Sequence, residues 1–358
     1  MSRRAAQLDG LRAISMIAIS WDHWLPKSWP RLFPFEIFLF FFLVLTGYLI
    51  TGGLLRERDR REASGTPWKK AALKNFHLRR GLRILAPYYA AFAFALLVFA
   101  EDAWKAPLWY LLHLSNLHMA TLAEWPGGTS HFWSLAMQQQ FYLLWPFVIW
   151  FLPRKWLAPA IIAVALVAPC MRHLHSYFSQ FVERPELITW ASLDYFAIGS
   201  LFAWAVHRGM SLESPGLRLV SWLGFAIYLL LFTAGALDFP AFGLRPLQQT
   251  ALSIALCGFI AAAFVGFGGP AKRLLESAPL QKIGQLSYGV YLYHNLAPLA
   301  AGKILPWIFW NPWFESVPGF FVRLLVFAAI TWGLTLASWR WLEQPLQGVR
   351  GKLEKRSA

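Results

Sequence analysis

Apolar stretches of roughly the length a helix needs to cross a bilayer, about 20 residues, recur along the whole chain with short polar connections between them. They cover residues 8–24, 35–55, 82–100, 131–152, 156–171, 188–207, 217–235, 247–268, 285–308 and 317–342. The pattern predicts an all-α fold, a polytopic membrane helical bundle of about ten transmembrane helices, with residues 1–358 forming a single domain. The shorter stretch "APLWYLLHLSNLHMA" carries His113, Asn116 and His118 and is read as interfacial or re-entrant, not as an eleventh span. No repeat of 20–50 residues and no low-complexity tract interrupts this order.

Composition agrees with the pattern. Hydrophobic residues make up 57% of the 358 and charged residues 14%, which argues against a soluble globule. The formal charge of +15 raises the question of nucleic acid, but the basic residues sit between apolar spans. They open the chain in "RRAAQLDGLR", dominate residues 56–83, and close it in the tail 343–358. That distribution is the one cytoplasmic loops show, so both termini are expected in the cytoplasm, membrane lipid is the expected surrounding, and no nucleic acid partner is expected. Within 56–83, ten basic residues face only Glu57, Asp59 and Glu62. "WDHWLPKSW" follows the first span where a cleavage site would need small residues, so that span is read as a retained helix. Two cysteines, Cys170 and Cys257, give neither a disulfide framework nor a metal site, and the histidines show no metal spacing.

Ionisable and polar residues inside apolar spans are the candidates for chemistry. Arg12 and His23 are eleven residues apart, three helical turns with about 20° left over, so they share one helix face about 16 Å apart along the axis. A guanidinium near one interface suits an anionic ligand, and an imidazole near the other can take a proton from a hydroxyl. The same residues also fit a plainer role: Arg12 pairing with Asp9, and His23 standing in an aromatic belt with Trp21 and Trp24. His131, Ser134, Gln138 and Tyr142 form a second stripe, widened by Gln139 and Gln140, which either lines an acceptor cavity or ties helices together. Tyr288, Tyr291 and His294 form a third, with Pro298 breaking the pattern nearby. Glu36 and Asp194 are expected near the level of His23, able to orient its imidazole. Arg79, Arg80 and Arg83 are spaced to converge on phosphates, or to set topology. A translocation path through a transporter or flippase, or a noncatalytic scaffold, fits the same stripes, although inverted repeats and paired broken helices are not visible.

Seven segments, "LDGLRAISMIAISWDH", "FFLVLTGYLIT", "FHLRRGLRILAPYY", "FWSLAMQQQFYLLWP", "SLDYFAIGSL", "LSYGVYLYHNLAP" and "SWRWLEQPL", occur in the order found in the acyltransferase 3 family, which the chain resembles over nearly its entire length. The resemblance implies a ten-helix O-acyltransferase in the bacterial cytoplasmic (inner) membrane. It implies acyl-CoA, as acetyl-CoA, as the cytoplasmic donor, no metal, and an extracytoplasmic glycan or glycoconjugate as acceptor. The family's arginine, ten residues, then histidine matches Arg12 and His23, which become the catalytic pair; its basic motif maps onto Arg79, Arg80 and Arg83 as the donor-binding cluster, and its C-terminal motif onto Glu343 and Pro345. Glu36, Ser134, Gln138, Gln140, Tyr142 and His294 are then expected to line the acceptor site. The chain departs from the pattern at two places. Gln138 and Gln139 stand where carboxylates often stand, so the burden of base falls on His23, and Ser192 stands where an arginine usually precedes the aspartate matched by Asp194. Larger members add a soluble domain after the bundle, and none is expected here.

Overall fold

The structure, a computed structural model, describes residues 3–26, 28–29, 33–65, 67–178, 182–237 and 243–348. Residues 349–358 of the expected basic tail therefore lie outside the described part. All the regular elements described are helical. Three long helices, α1 (Arg3–Trp24), α2 (Glu36–Ala63) and α3 (Lys69–Leu97), lead into three short ones, α4 (Glu101–Lys105), α5 (Pro107–Leu111) and α6 (Ser115–Ala120). Long helices resume with α7 (Phe132–Phe151), α8 (Arg154–Phe178), α9 (Asp194–His207), α10 (Pro215–Ala236) and α11 (Gln248–Val265). A broken segment follows as α12 (Gly269–Leu275), α13 (Ala278–Gln285), α14 (Ser287–Tyr293), α15 (Ala297–Ile304) and α16 (Trp307–Trp310), before α17 (Val317–Ser338) closes the bundle.

Among the described residues, five helical stretches are long and apolar enough to cross a membrane: Glu36–Ala63, Arg154–His175, Pro215–Ala236, Arg245–Val265 and Val317–Gly348. Their outer faces leave large apolar side chains uncovered, including Leu219, Trp222 and Leu230 on α10 and Leu325 on α17, as lipid-facing helices do. The protein is an integral membrane protein. The other stretches expected as spans are not among these five, and three of them show why. Helix α1 carries Asp9, Arg12 and Asp22, α7 carries three consecutive glutamines, and α9 has 14 residues, about 21 Å of helix.

The bounds of two of the expected stretches change. The sixth begins not at 188 but at Asp194, after two single-turn 3-10 segments at Pro185–Leu187 and Thr189–Ala191. The ninth, expected as continuous over 285–308, is divided among α14, α15 and α16, because Pro298 cannot continue a helix and instead occupies the first turn of α15. Residues 107–120 form α5, a turn and α6, neither long enough to span. Ser115 and Asn116 are fully buried there, and irregular backbone at membrane depth is tolerated where protein covers it.

Small residues bring the helices close. A Cβ on Gly47 of α2 would lie 2.1 Å from the Phe196 carbonyl oxygen, and one on Gly199 of α9 would lie 2.0 Å from that of Val44. With backbones touching, Thr51 donates to Ser200 at 2.7 Å and the Trp145 indole donates to Thr51 at 2.7 Å, joining α2, α9 and α7. Gly284 does the same for α13 and α1, where a Cβ would meet the Asp9 carbonyl oxygen at 2.0 Å, and Gly10 does so for α1 and α12, where a Cβ would meet that of Leu275 at 2.2 Å. Replacing Gly199 by alanine should force α2 and α9 apart at a cost of about 1–3 kcal/mol, seen as a lower unfolding temperature in detergent. An unchanged melting temperature would contradict this packing.

At the basic end of α2, Arg58 donates to the carbonyls of Ile149 (2.6 Å) and Leu152 (2.8 Å), satisfying the C-terminus of α7. Arg154 meets Asp59 at 2.6 Å and Glu62 at 2.7 Å, and His207 meets Asp59 at 3.0 Å, so α2, α8 and α9 are tied at one level.

Candidate active site

Helix α1 is unbroken from Arg3 to Trp24, so Arg12 and His23 keep the spacing a regular helix gives them, about 16 Å along the axis. Each side chain enters the wall of a different cavity. Arg12, Arg80, Arg83, Ser134, Gln138, Tyr142 and Tyr291 line an inner cavity of about 200 Å³. His23, Glu36 and His131 belong to the wall of an outer cavity of about 920 Å³, together with Asp22, Glu124, Trp125, Arg184 and Asn295. Leu39 and Tyr291 line both, so the two spaces adjoin at these residues.

The basic end opens further. A space of about 320 Å³, lined by Arg79, Arg80 and Arg83 with Phe76, Glu57 and Trp150, shares Leu49, Ile50, Arg80 and Arg83 with the inner cavity. The Arg80 guanidinium lies over Tyr142 at 5.3 Å and over Phe76 at 5.8 Å, which fixes its position by cation–π contact. Arg12 is held by Asp9 at 3.2 Å, the pairing visible in the sequence, yet still lines the cavity. Four guanidiniums thus line two neighbouring spaces that share Arg80 and Arg83, an arrangement suited to phosphates.

At the other end a second histidine, His294, orients His23. His23 Nδ1 and His294 Nε2 are 2.8 Å apart, with the rings stacked at 4.9 Å between centroids. The opposite nitrogen of His294 lies 2.7 Å from the Tyr291 carbonyl oxygen, which can only accept. His294 therefore carries its proton on Nδ1 and offers Nε2 as acceptor, and His23 donates from Nδ1. That assignment leaves the lone pair of His23 on Nε2, the nitrogen on the far side of the ring from His294. The Trp24 indole donates to the His294 carbonyl at 2.8 Å, a bond the break after α14 makes possible, and clamps the end of α1 to this turn.

Three of the residues singled out in the sequence stand apart from the cavity walls or from His23. His294 is fully buried behind His23 and holds that imidazole; it is not in the lining of either cavity. Gln140 is not in either lining: its amide donates to the His113 carbonyl (2.8 Å) and Asn116 Oδ1 (2.9 Å) and accepts from Thr189, anchoring the short helices 107–120. Asp194 does not reach His23, because Arg172 of α8 binds it through two nitrogens at 3.1 and 2.8 Å and Thr250 donates to it at 2.5 Å. Arg172 also donates to the Ala191 and Pro246 carbonyls. Arg172, 22 residues before Asp194, thus supplies the guanidinium absent at position 192, a pairing no local spacing could indicate.

Ser134 and Tyr291 share a hydrogen bond of 2.5 Å at the boundary between the cavities. Gln138 donates to Thr46 at 3.0 Å, positioned by α2. Glu343 accepts from Ser338 at 3.1 Å in a widened helical turn over Trp339–Glu343. Among the described residues, no three His, Cys, Asp or Glu side chains are grouped so as to hold a metal ion.

Comparison with known proteins follows the same outline. The family profile described as an acyltransferase domain matches residues 5–332, and the chain belongs to the acyltransferase 3 family. It is 25% identical to the peptidoglycan O-acetyltransferase OatA of Listeria monocytogenes, over 95% of this chain and 55% of that protein. It is 28% identical to the O-acetyltransferase OatA of Staphylococcus aureus, over 80% of this chain and 49% of that one. A putative peptidoglycan O-acetyltransferase of Bacillus subtilis, YrhL, is 26% identical over 80% and 47%. The chain spans about half the length of these relatives. No solved structure matches it.

Proposed function

We propose that the protein is a membrane O-acetyltransferase that moves an acetyl group from acetyl-CoA at its basic end to a hydroxyl of a glycan at the other. The observation that carries this reading is the pair of cavities on one helix, a cationic one at Arg12 and one at His23, meeting at Leu39 and Tyr291. The donor's phosphates dock among Arg79, Arg80 and Arg83. Its reactive end must then travel a distance on the order of 16 Å, the axial offset of Arg12 from His23, which a long flexible thioester arm can cover. His23 Nε2 takes the proton of the acceptor hydroxyl as the oxygen attacks the thioester carbonyl; the carbon–sulfur bond breaks, and the thiolate leaves toward the arginines. Holding both reactants at the partition supplies much of the acceleration. Ten spans, a bacterial cytoplasmic membrane and both termini in the cytoplasm belong to this reading, and the names of the relatives point to peptidoglycan as an acceptor.

The direct test uses the protein in proteoliposomes with acetyl-CoA labelled in the acetyl group, added to the side exposing the basic end, and glycan on the other. Label recovered as an ester on the glycan is expected. Glycan movement without acetylation would establish a transporter instead. In the same assay the double variant R80A/R83A should raise the KM for acetyl-CoA by about ten- to a hundredfold, the worth of one or two charge-assisted bonds. A KM that does not move would remove this cluster from donor binding.

A further inference from the structure

The acids at the basic end of α2 are all committed to partners. Glu57 binds Arg60 and, at 2.8 Å, Arg61. Asp59 binds Arg154 and His207, while Glu62 binds Arg154 and, at 2.6 Å, Arg58. Arg56 stands on the same turns and is left with no ion-pair or hydrogen-bond partner among the described residues. Its guanidinium lies back along the helix, with Nη1 3.2 Å from where a Cβ on Gly52 would stand, in space that the glycine leaves open.

That space belongs to a groove of about 310 Å³ between α2, α9 and α11, and Arg56 lines it. The rest of the lining is mainly apolar, with Tyr48, Leu49, Val206 and Phe264 along its length. The Tyr48 and Phe264 rings touch at 5.2 Å between centroids, and Leu49 is 43% exposed. The other basic side chain in the lining, His207, is engaged with Asp59 at 3.0 Å, so Arg56 is the cation the groove can offer to a ligand. A guanidinium beside an apolar groove, on a helix long and apolar enough to cross the membrane, matches the two parts of an anionic lipid: a phosphate and a hydrocarbon chain.

We propose that this groove binds one anionic phospholipid from the leaflet at the basic end, its phosphate on Arg56 and an acyl chain against Leu49, Val206 and Phe264. The planar fork of the guanidinium can give two N–H groups to one phosphate. A zwitterionic lipid brings its own cation close to Arg56 and loses part of that attraction. The groove is distinct from the donor-binding cluster, since Arg79, Arg80 and Arg83 are not in its lining, although it adjoins the inner cavity at Leu49. Binding of such a lipid does not depend on the acetyltransferase reading.

Native mass spectrometry of the full chain, titrated in detergent with phosphatidylglycerol or phosphatidylcholine bearing the same acyl chains, counts the lipid retained. Wild type should hold one phosphatidylglycerol about tenfold more tightly than phosphatidylcholine, the worth of a charge-assisted contact. R56Q should bring the two affinities together, and R56K, which keeps the charge without the fork, should fall between. R60Q removes an exposed arginine already paired with Glu57 and should leave the wild-type preference in place. Arg56 is exposed and makes no bond within the protein, so R56Q should melt with wild type in phosphatidylcholine nanodiscs. Glycerol 3-phosphate, a head group without chains, should not displace the bound lipid even in large excess. Equal affinity of wild type for the two lipids, or a preference that R56Q does not reduce, would overturn the site. An equal loss in R60Q would reduce it to general surface charge, and displacement by glycerol 3-phosphate would assign it to a soluble phosphate; either would overturn a lipid site.

Discussion

Replacing His23 by alanine is expected to lower acyl transfer by about 10²–10⁴-fold while leaving the protein inserted and folded, because a positioned general base contributes that much. His23 is among the more exposed residues of α1, and its removal opens no buried cavity. The structure adds a graded companion to this variant. Glutamine at 294 can still accept a hydrogen bond from His23 Nδ1, whereas leucine cannot, so H294Q should retain more activity than H294L, and both should exceed H23A. Initial rates with labelled acetyl-CoA in proteoliposomes give the order. Transfer by H23A at the wild-type rate would remove His23 as base, and equal rates for H294Q and H294L would remove the orienting role of His294.

The largest expected effect on stability belongs to Asp194. Its side chain is fully buried and Arg172 is 5% exposed, so D194A leaves a guanidinium in the interior with its principal counter-charge gone. Breaking a buried pair in this way costs about 3–5 kcal/mol, more than most membrane bundles tolerate without loss of yield. Removing both charges together, as R172M/D194L, should cost clearly less, since neither partner is then left behind. Thermal unfolding followed by size-exclusion chromatography in detergent distinguishes the two. Equal melting of wild type and D194A would show that the pair does not hold α8, α9 and α11 together.

The role of Asp194 also shows where reading along the chain stops. Local spacing points only to position 192, where Ser192 stands, because local motifs are all that spacing can register. The actual partner comes from another helix, and the interior position of Asp194 follows from α9 starting there, with the carboxylate in the first turn where the helix dipole favours it. The same limit explains His294. Tyr288, Tyr291 and His294 were legible as a polar stripe, but only the break after α14 turns the histidine behind His23 and frees its carbonyl for Trp24. Gln140, equally legible as polar, is spent on Asn116 and the His113 carbonyl in a segment whose depth of burial no hydropathy pattern reveals.

The sequence by itself determined the helical class, the positions of most long helices, and the placement of Arg12 and His23 on one face of α1. These are properties of a single helix: bilayer thickness sets the length of an apolar run, and 3.6 residues per turn sets the face. Tertiary structure alone decided which polar groups meet. The His23–His294 bond, the Arg172–Asp194 pair, and the two cavities parted by Leu39 and Tyr291 each join helices far apart in the chain. Such contacts depend on how close backbones approach at Gly47, Gly199 and Gly284 and on where proline interrupts a helix, and only packing in three dimensions converts those local permissions into a site.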